Sequence, residues 1–297
     1  MTTAPRPPRA FSRVLIRTGI VVAALVAALL IAAWLAVPDL APFASKAPER
    51  TNYMRLRAEA RSLPDGGPRL APLPLEQISP LLGCAVVMAE DRTFFEHGGL
   101  LWAGARAAAL ALLAGKRATG GSTITQQLAR NIFLSPERTL WRKLREALIA
   151  RRLETALGKR RILELYLGSI EWGDGVWGAE AAAQHWLGKH ADALDAFDAS
   201  FLAALIAAPR TPLVGDNLRR MARVQGRVLA QLFTSGLIDE GEFESALSRA
   251  ARLRSAGETL PPAATHASSV VAWADVLATG CGREREFANL ARLREQR

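Results

Sequence analysis

Ile78-Ser79-Pro80-Leu81-Leu82-Gly83-Cys84-Ala85-Val86-Val87-Met88-Ala89 carries no charge and runs directly into Glu90-Asp91-Arg92-Thr93-Phe94-Phe95-Glu96-His97-Gly98-Gly99. An uncharged run of this length belongs in an interior, and a helix is expected from Leu81 to Glu90. A carboxylate at the mouth of such a run is partly desolvated. Desolvation disfavours the charged form and moves the group toward the range of a working acid or base. Glu90 is therefore the first candidate catalytic residue. The plainer reading also stands at this point: a helix end with Glu90 or Asp91 paired to an arginine.

Further along, Thr119-Gly120-Gly121-Ser122-Thr123-Ile124-Thr125-Gln126-Gln127-Leu128-Ala129-Arg130-Asn131 is polar with a single charge. Ser122 or Thr123 can cap a helix beginning near Ile124, because a hydroxyl satisfies the orphan N–H groups of the first turn. The same hydroxyls, amides and Arg130 can also donate to phosphate or sugar oxygens, with glycines allowing close backbone approach. Both readings can hold at once. After Pro136 a helix is expected from Leu140 to Leu157. At 100° per residue, Leu140, Leu144 and Leu148 share one face, while Glu146 lies on another with Ala150, Leu153 and Leu157. Pairing of Glu146 with Arg142 accounts for part of this. Between Glu137 and Arg161 nine basic residues face three acidic ones, a local excess suited to a pyrophosphate.

These stretches together resemble the glycosyltransferase domain of peptidoglycan polymerases, the biosynthetic transglycosylases also found in class A penicillin-binding proteins. The carrying motifs are Glu90-Asp91-x-x-Phe94-x-x-His97-x-Gly99, then Gly120-x-Ser122-Thr123-Ile124-Thr125-Gln126-Gln127-x-x-Arg130-Asn131, then Arg142-Lys143-x-x-Glu146. A fourth block, from Arg161 to Leu167 and on through Gly173, Gly178, Ala181 and Ala182, also looks like the family. The likeness covers about residues 75 to 245. The chain departs from the pattern at Gly168, where the family has asparagine, at Thr119 for arginine and at Leu101 for aspartate. It also departs around His185-Trp186-Leu187, and lacks the Asn-Pro often seen between Pro209 and Asn217.

The resemblance implies a mainly α, lysozyme-like domain and polymerisation of lipid II on an undecaprenyl-pyrophosphate-linked glycan chain. Glu90 would be the base. Glu146 would be the second catalytic glutamate, positioning donor or phosphate, with a divalent cation (magnesium or manganese) as one possible aid. Arg130, Lys143 and Arg142 would stabilise the leaving pyrophosphate. Ser122, Thr123, Gln127 and Asn131 match substrate-binding positions, and Asp91, Phe94 and His97 would shape the base loop. Implied partners are lipid II, the lipid-linked glycan, the membrane, and other proteins of wall synthesis or division. With no Ser-x-x-Lys in the chain, a monofunctional enzyme is expected.

Outward from this domain the chain carries Arg6, Arg9, Arg13 and Arg17, then eighteen uncharged residues from Ile20 to Val37. Such a run is about 27 Å long as a helix, enough to cross a bilayer core. The preceding arginines would keep the N-terminus in the cytoplasm and put the catalytic domain outside, in the periplasm of a cell with an inner membrane. The competing reading is a cleaved signal peptide, which Pro38 disfavours. The expected organisation is a basic terminus over 1–19, an anchor over 20–37, a linker over 38–77, the catalytic domain over 78–250 and a tail over 251–297. The linker holds seven prolines and one expected helix, Asn52 to Ser62. The apolar residues 100–115 read as a helix, either core or dipping into the outer leaflet.

Net charge is +10, which points to an anionic partner. No Walker loop, dinucleotide glycine pattern or zinc-type spacing is present. Cys84 and Cys281 either pair in an oxidising compartment or stay as thiols. Tyr166 to Gly178 reads as a glycine-rich loop around Trp172 and Trp177, followed by helices over Ala179–Leu187, Asp198–Ala208 and Asn217–Phe233, and a last one from Asp239. No stretch shows strand alternation. Three other functions fit parts of this pattern. A lysozyme-like hydrolase would not need the cationic cluster, a silent wall scaffold would not need Glu90, and a nucleic-acid binder conflicts with the extracytoplasmic topology.

Overall fold

The computed structural model describes residues 9–64, 67–101, 121–137, 139–256 and 272–282. The expected helix over 100–115 falls outside the described residues from position 102 on, as do Thr119, Gly120 and the tail beyond 282.

Helix α1 (Arg9–Leu35) opens the chain. Its segment Ile16–Leu35 is 20 residues long with a mean hydropathy of 2.5 and is almost wholly exposed. At 1.5 Å per residue it is about 30 Å long, so it is long and apolar enough to cross a membrane. Its end docks on the protein: Ala33, Val37 and Leu40 are buried, and the Arg152 guanidinium lies 5.0 Å from the Trp34 ring centroid.

Residues 38–77 pack against the body. Helix α2 (Asn52–Ala60) forms where a helix was expected, capped by the Thr51 hydroxyl, which accepts from Met54 N at 3.1 Å. Met54, Leu70 and Trp177 make a small satellite core, and Leu75 is fully buried in the main one. The Asn52 side chain donates to Leu134 O at 3.1 Å, tying α2 to the end of a helix that lines the site.

The main core is helical. Helix α3 (Pro80–Glu90) is buried from Leu81 through Val87 and surfaces only in its last turn, so Glu90 stands where apolar interior meets the site. Helix α4 (Ile124–Phe133) packs on α5 (Leu140–Leu167). Gly158 breaks α5 with φ +70° and ψ 168°, next to the end expected at Leu157; glycine is the residue that tolerates this conformation. Of the two faces of α5, the one with Glu146, Ile149, Ala150 and Leu153 is buried. On the leucine face Leu140 is 73% exposed, while Leu148 is partly buried against the main core.

The glycine-rich segment is more regular than expected. Glu171–Gly173 (β1) pairs antiparallel with Val176–Trp177 (β2). Asp174-Gly175 forms the turn, with Gly175 at φ +83°, a two-residue hairpin signal that Asp-Gly sequences favour. Next come α6 (Ala179–Leu187) and α7 (Ala196–Leu205), every residue of which is buried. Asp195 caps α7, and Arg249 bonds Asp195 and Asp198 at 2.6 and 3.0 Å. Helix α8 (Gly215–Thr234) buries Leu218, Met221, Val228, Leu229 and Leu232 and exposes Arg219, Arg220, Arg223 and Arg227, as the 3.6-residue period predicts. Helices α9 (Glu240–Ala256) and α10 (Trp273–Thr279) close the described chain. Cys84 of α3 is disulfide-bonded to Cys281 just after α10.

Candidate active site

Glu90 ends α3 half-buried. Gln127 of α4 donates from Nε2 to Glu90 Oε2 at 2.7 Å, and the Tyr166 hydroxyl donates to Gln127 Oε1 at 2.9 Å. The amide is therefore held at both ends and cannot flip without losing a bond. Burial pushes the Glu90 carboxyl above its usual range. The Gln127 hydrogen bond and the Arg130 charge pull it partly back, and neighbouring Asp91 adds a small upward push. The opposition of these effects leaves a carboxylate that ionises yet retains affinity for a proton, the property a general base needs. Burial also holds the Tyr166 phenol neutral far above its normal range, so it remains a donor.

The residues after Glu90 build its support. Asp91 accepts from Ile124 N at 3.1 Å, at the start of α4, where partial positive charge favours a carboxylate. His97 Nε2 lies 3.0 Å from both Asp91 oxygens, while His97 Nδ1 accepts from Gly99 N at 3.0 Å. That second bond puts the ring proton on Nε2, directed at Asp91. Thr123 donates to Gly99 O at 2.7 Å and accepts from Gln126 N at 3.1 Å, so one hydroxyl caps α4 and closes the loop. Phe94 is fully buried, with Lys159 Nζ 4.3 Å from its ring centroid. Lys159 and Thr125 both bond Glu154 Oε1, at 2.7 and 2.5 Å. Asp91, Phe94, His97 and Thr123 thus face inward and shape the base loop; their side chains are not open to a cleft.

A second centre forms on α5. Glu146 is completely buried, and its two oxygens are taken by Arg142 and Lys143. Lys143 also reaches Ser122 Oγ at 3.0 Å. Helical spacing paired Glu146 with Arg142, and Ser122 stood in a separate motif; the structure joins all four residues. Arg142 Nε is buried with no hydrogen-bond partner among the described residues. With both Glu146 oxygens occupied by cations, and no group of three His, Cys, Asp or Glu residues that could hold a metal among the described residues, the donor set does not fit a protein-held divalent ion. The expectation of magnesium or manganese at Glu146 therefore has no support in this geometry: a cation there would have to displace Arg142 or Lys143.

Gln127, Arg130, Asn131 and Arg142 line a cavity of about 550 Å³, Gln127 being the partner of Glu90 and Arg142 that of Glu146. The same lining includes Tyr53, Glu171 and Arg210, which sequence reasoning did not single out, together with Tyr166 and Trp177 from the glycine-rich segment. Glu171 is held by Arg210 at 2.7 Å and by Gly175 N at 3.1 Å, and Arg57 and Arg61 pair with Asp174 on the hairpin turn. Tyr166 was read as part of the fourth motif block and as the start of the glycine-rich loop; it lies in the last turn of α5, and nothing in the sequence reveals that it meets Gln127. The departure at Gly168 has a physical reason: a Cβ there would lie 3.3 Å from both Pro72 Cβ and Glu164 O, so the 38–77 segment packs where the family carries a side chain.

A transglycosylase family model matches residues 61–233. Among the similar proteins is a biosynthetic peptidoglycan transglycosylase of Azoarcus sp. (strain BH72), 44% identical over 187 residues, 61% of this chain and 81% of the relative. Another of the same description, from Laribacter hongkongensis (strain HLHK9), is 46% identical over 165 residues, 55% of this chain and 72% of the relative. Penicillin-binding protein 1A of Escherichia coli (strain K12) is 42% identical over 189 residues, 62% of this chain and 22% of that larger protein. The helical body, the buried carboxylate facing a cationic cleft and these matches converge: the chain belongs to the transglycosylase family and is a peptidoglycan glycosyltransferase.

Proposed function

We propose that the protein polymerises lipid II into glycan strands, releasing undecaprenyl pyrophosphate with inversion at the donor sugar. The observation that carries this reading is the pairing of a half-buried, proton-retaining Glu90 with a cavity lined by Arg130 and Arg142, linked by Gln127. In the reaction, Glu90 takes the proton from the acceptor's 4-hydroxyl as that oxygen attacks C1 of the donor sugar. The new C1–O4 bond forms as the bond from C1 to the pyrophosphate oxygen breaks, and the electron pair leaves with the lipid pyrophosphate. Arg130, Arg142 and Lys143 then meet the charge that develops on the leaving group. Preorganised donors of this kind are worth about 3 kcal/mol each when removed from comparable sites. Glu146 fixes Arg142 and Lys143 in place, and Arg142 also lines the cavity where the phosphate would lie.

Two features support a membrane-anchored, extracytoplasmic enzyme. The apolar α1 segment has four arginines at its N-terminal side, a pattern that favours an N-terminus inside. The Cys84–Cys281 disulfide belongs to an oxidising compartment. This placement fits an inner-membrane enzyme, with lipid II and the lipid-linked glycan as its proposed partners. The deciding experiment is polymerisation of labelled lipid II by detergent-purified protein with Glu90→Gln alongside. Polymer from the wild type and none from the variant is expected. Polymer from both removes Glu90 from the mechanism, and none from either removes the reaction.

A further inference from the structure

Residues 272–282 lie beyond the region 61–233 that the family model matches, yet they hold the Glu90 helix from behind. Trp273 donates from Nε1 to Ile78 O at 2.7 Å, at the entry to α3. Its ring fills the space over Gly83: a Cβ at that position would lie 2.3 Å from Trp273 Cη2. The next residue, Cys84, carries the disulfide to Cys281. Both cysteines are buried, Cys84 at 0% and Cys281 at 2% exposure, so the bond is shielded from exchange with solvent thiols.

The same segment also touches the other side of Glu90. Gly280, in the left-handed region at φ +60°, sits where a Cβ would be 3.6 Å from Phe95 Cβ and Cδ2. Phe95 packs edge-on against Phe94, with centroids 5.0 Å apart at 71°, and Phe94 lies in the turn that carries Asp91 and His97. Cys84 precedes Glu90 by six residues of continuous helix, about 9 Å along the axis. The tail therefore bears on the catalytic carboxylate through the helix that ends at it and through the turn that follows it. A staple serving stability alone has no need to grip both flanks of one residue.

We propose that residues 272–282 form a disulfide-closed clasp that positions the Glu90 loop for the transfer step, with Cys281 and Trp273 as positioning residues. The proposal rests on Glu90 being the base. The clasp keeps the α3 end and the Phe94–Phe95 turn in the one arrangement in which Glu90 is half-buried against Gln127. Without it the turn can move away from α3 and admit water to the carboxylate.

The test uses the full-length protein in detergent as wild type, Cys281→Ser, Cys84→Ser/Cys281→Ser and Trp273→Phe, the last keeping an aromatic side chain but losing the indole donor and the ring edge over Gly83. The disulfide is confirmed by peptide mass without reductant, and folding by circular dichroism. Polymerisation of labelled lipid II is followed as kcat and KM across pH. The expected result for Cys281→Ser is a folded protein with KM changed less than about twofold and kcat reduced roughly tenfold, the scale of a sub-ångström misplacement of a reacting group. The acid limb of the rate profile should move to lower pH, because water reaching Glu90 removes part of the burial that raises its proton affinity. Trp273→Phe should shift in the same direction by less. An unchanged kcat with an unmoved acid limb in both variants overturns the clasp. So does a rate loss that only tracks the fraction of unfolded protein. Should the double cysteine variant fail to fold, Trp273→Phe decides by the same two readouts. Failure of the base assignment is distinguished separately: if Glu90→Gln polymerises normally, amide hydrogen exchange over 84–97 is compared between Glu90→Gln and Glu90→Gln/Cys281→Ser. Lost protection over 91–97 keeps the clasp, and retained protection overturns it.

Discussion

Gln127→Met should move the acid limb of polymerisation to higher pH. In the wild type, Gln127 Nε2 donates to Glu90 Oε2 at 2.7 Å, and Tyr166 fixes the amide through its other end at 2.9 Å. This bond stabilises only the ionised carboxylate, and it opposes the burial that raises the Glu90 proton affinity. Methionine keeps the volume and removes the donor. A hydrogen bond to a charged group contributes about 1.5–3 kcal/mol, and each 1.36 kcal/mol is about a factor of ten in proton affinity. At a fixed pH on the acid limb, the ionised fraction of Glu90 should therefore fall tenfold or more, by roughly the 1.5 kcal/mol lower bound. The plateau at higher pH should fall less, since Gln127 also lines the cavity. The assay is kcat/KM for labelled lipid II as a function of pH, where the limb reports the free enzyme. Tyr166→Phe should move the limb in the same direction by less, because the donor stays but loses its anchor. A limb that stays in place, or moves to lower pH, would refute the bridging role of Gln127.

Other outcomes follow from the same geometry. Glu90→Gln should stabilise the fold while abolishing transfer, because it removes the cost of a buried charge. The folded carboxyl lies above its reference value of 4.5, so the unfolded chain ionises first as pH rises. The variant's advantage in thermal unfolding should be absent well below that value, grow above it and level off past the folded pKa; an advantage that grows toward acid would contradict the burial argument. Glu146→Ala should cost about 2–3 kcal/mol in denaturant unfolding. That is less than the 3–5 of a wholly buried pair, because Lys143 is 44% exposed; transfer should fall with it, and a neutral result would remove Glu146 from the support of the cationic site. Gly99→Ala should destabilise by about 1–2 kcal/mol from the left-handed backbone alone, at φ +85°, with more from a Cβ 2.8 Å from Glu154 Cγ. Unchanged stability there would show that the loop relaxes freely.

Much of the helical body was legible because it rests on local period. The apolar run Leu81–Val87 becomes the buried part of α3 and leaves Glu90 at its surfacing end. The α8 pattern of inward leucines and outward arginines appears as expected. Glu146 was flagged by its place on an apolar stripe with Ala150 and Leu153, and that face is the buried one. The leucine face is split, Leu140 being exposed and Leu148 partly buried against the core, because periodicity identifies a stripe without saying how much of it meets a partner. The hairpin at Asp174-Gly175 was missed for a different reason: strands of three and two residues are too short to show alternation, and only the turn dipeptide announces them.

By itself the sequence determined the helical class, the N-terminal apolar span, the order of the motif blocks and the residue types of the site, since each depends on neighbours within a few turns. Only the tertiary structure decided that Tyr166 anchors Gln127 across 39 residues, that Glu171 and Arg210 line the same cavity as Arg130 and Arg142, and that Cys281 closes on Cys84 across 197. The physical reason is that helical spacing fixes directions within one element, whereas these pairs form only after separate elements pack against a shared core, and no local pattern encodes which distant side chains that packing brings within 3 Å.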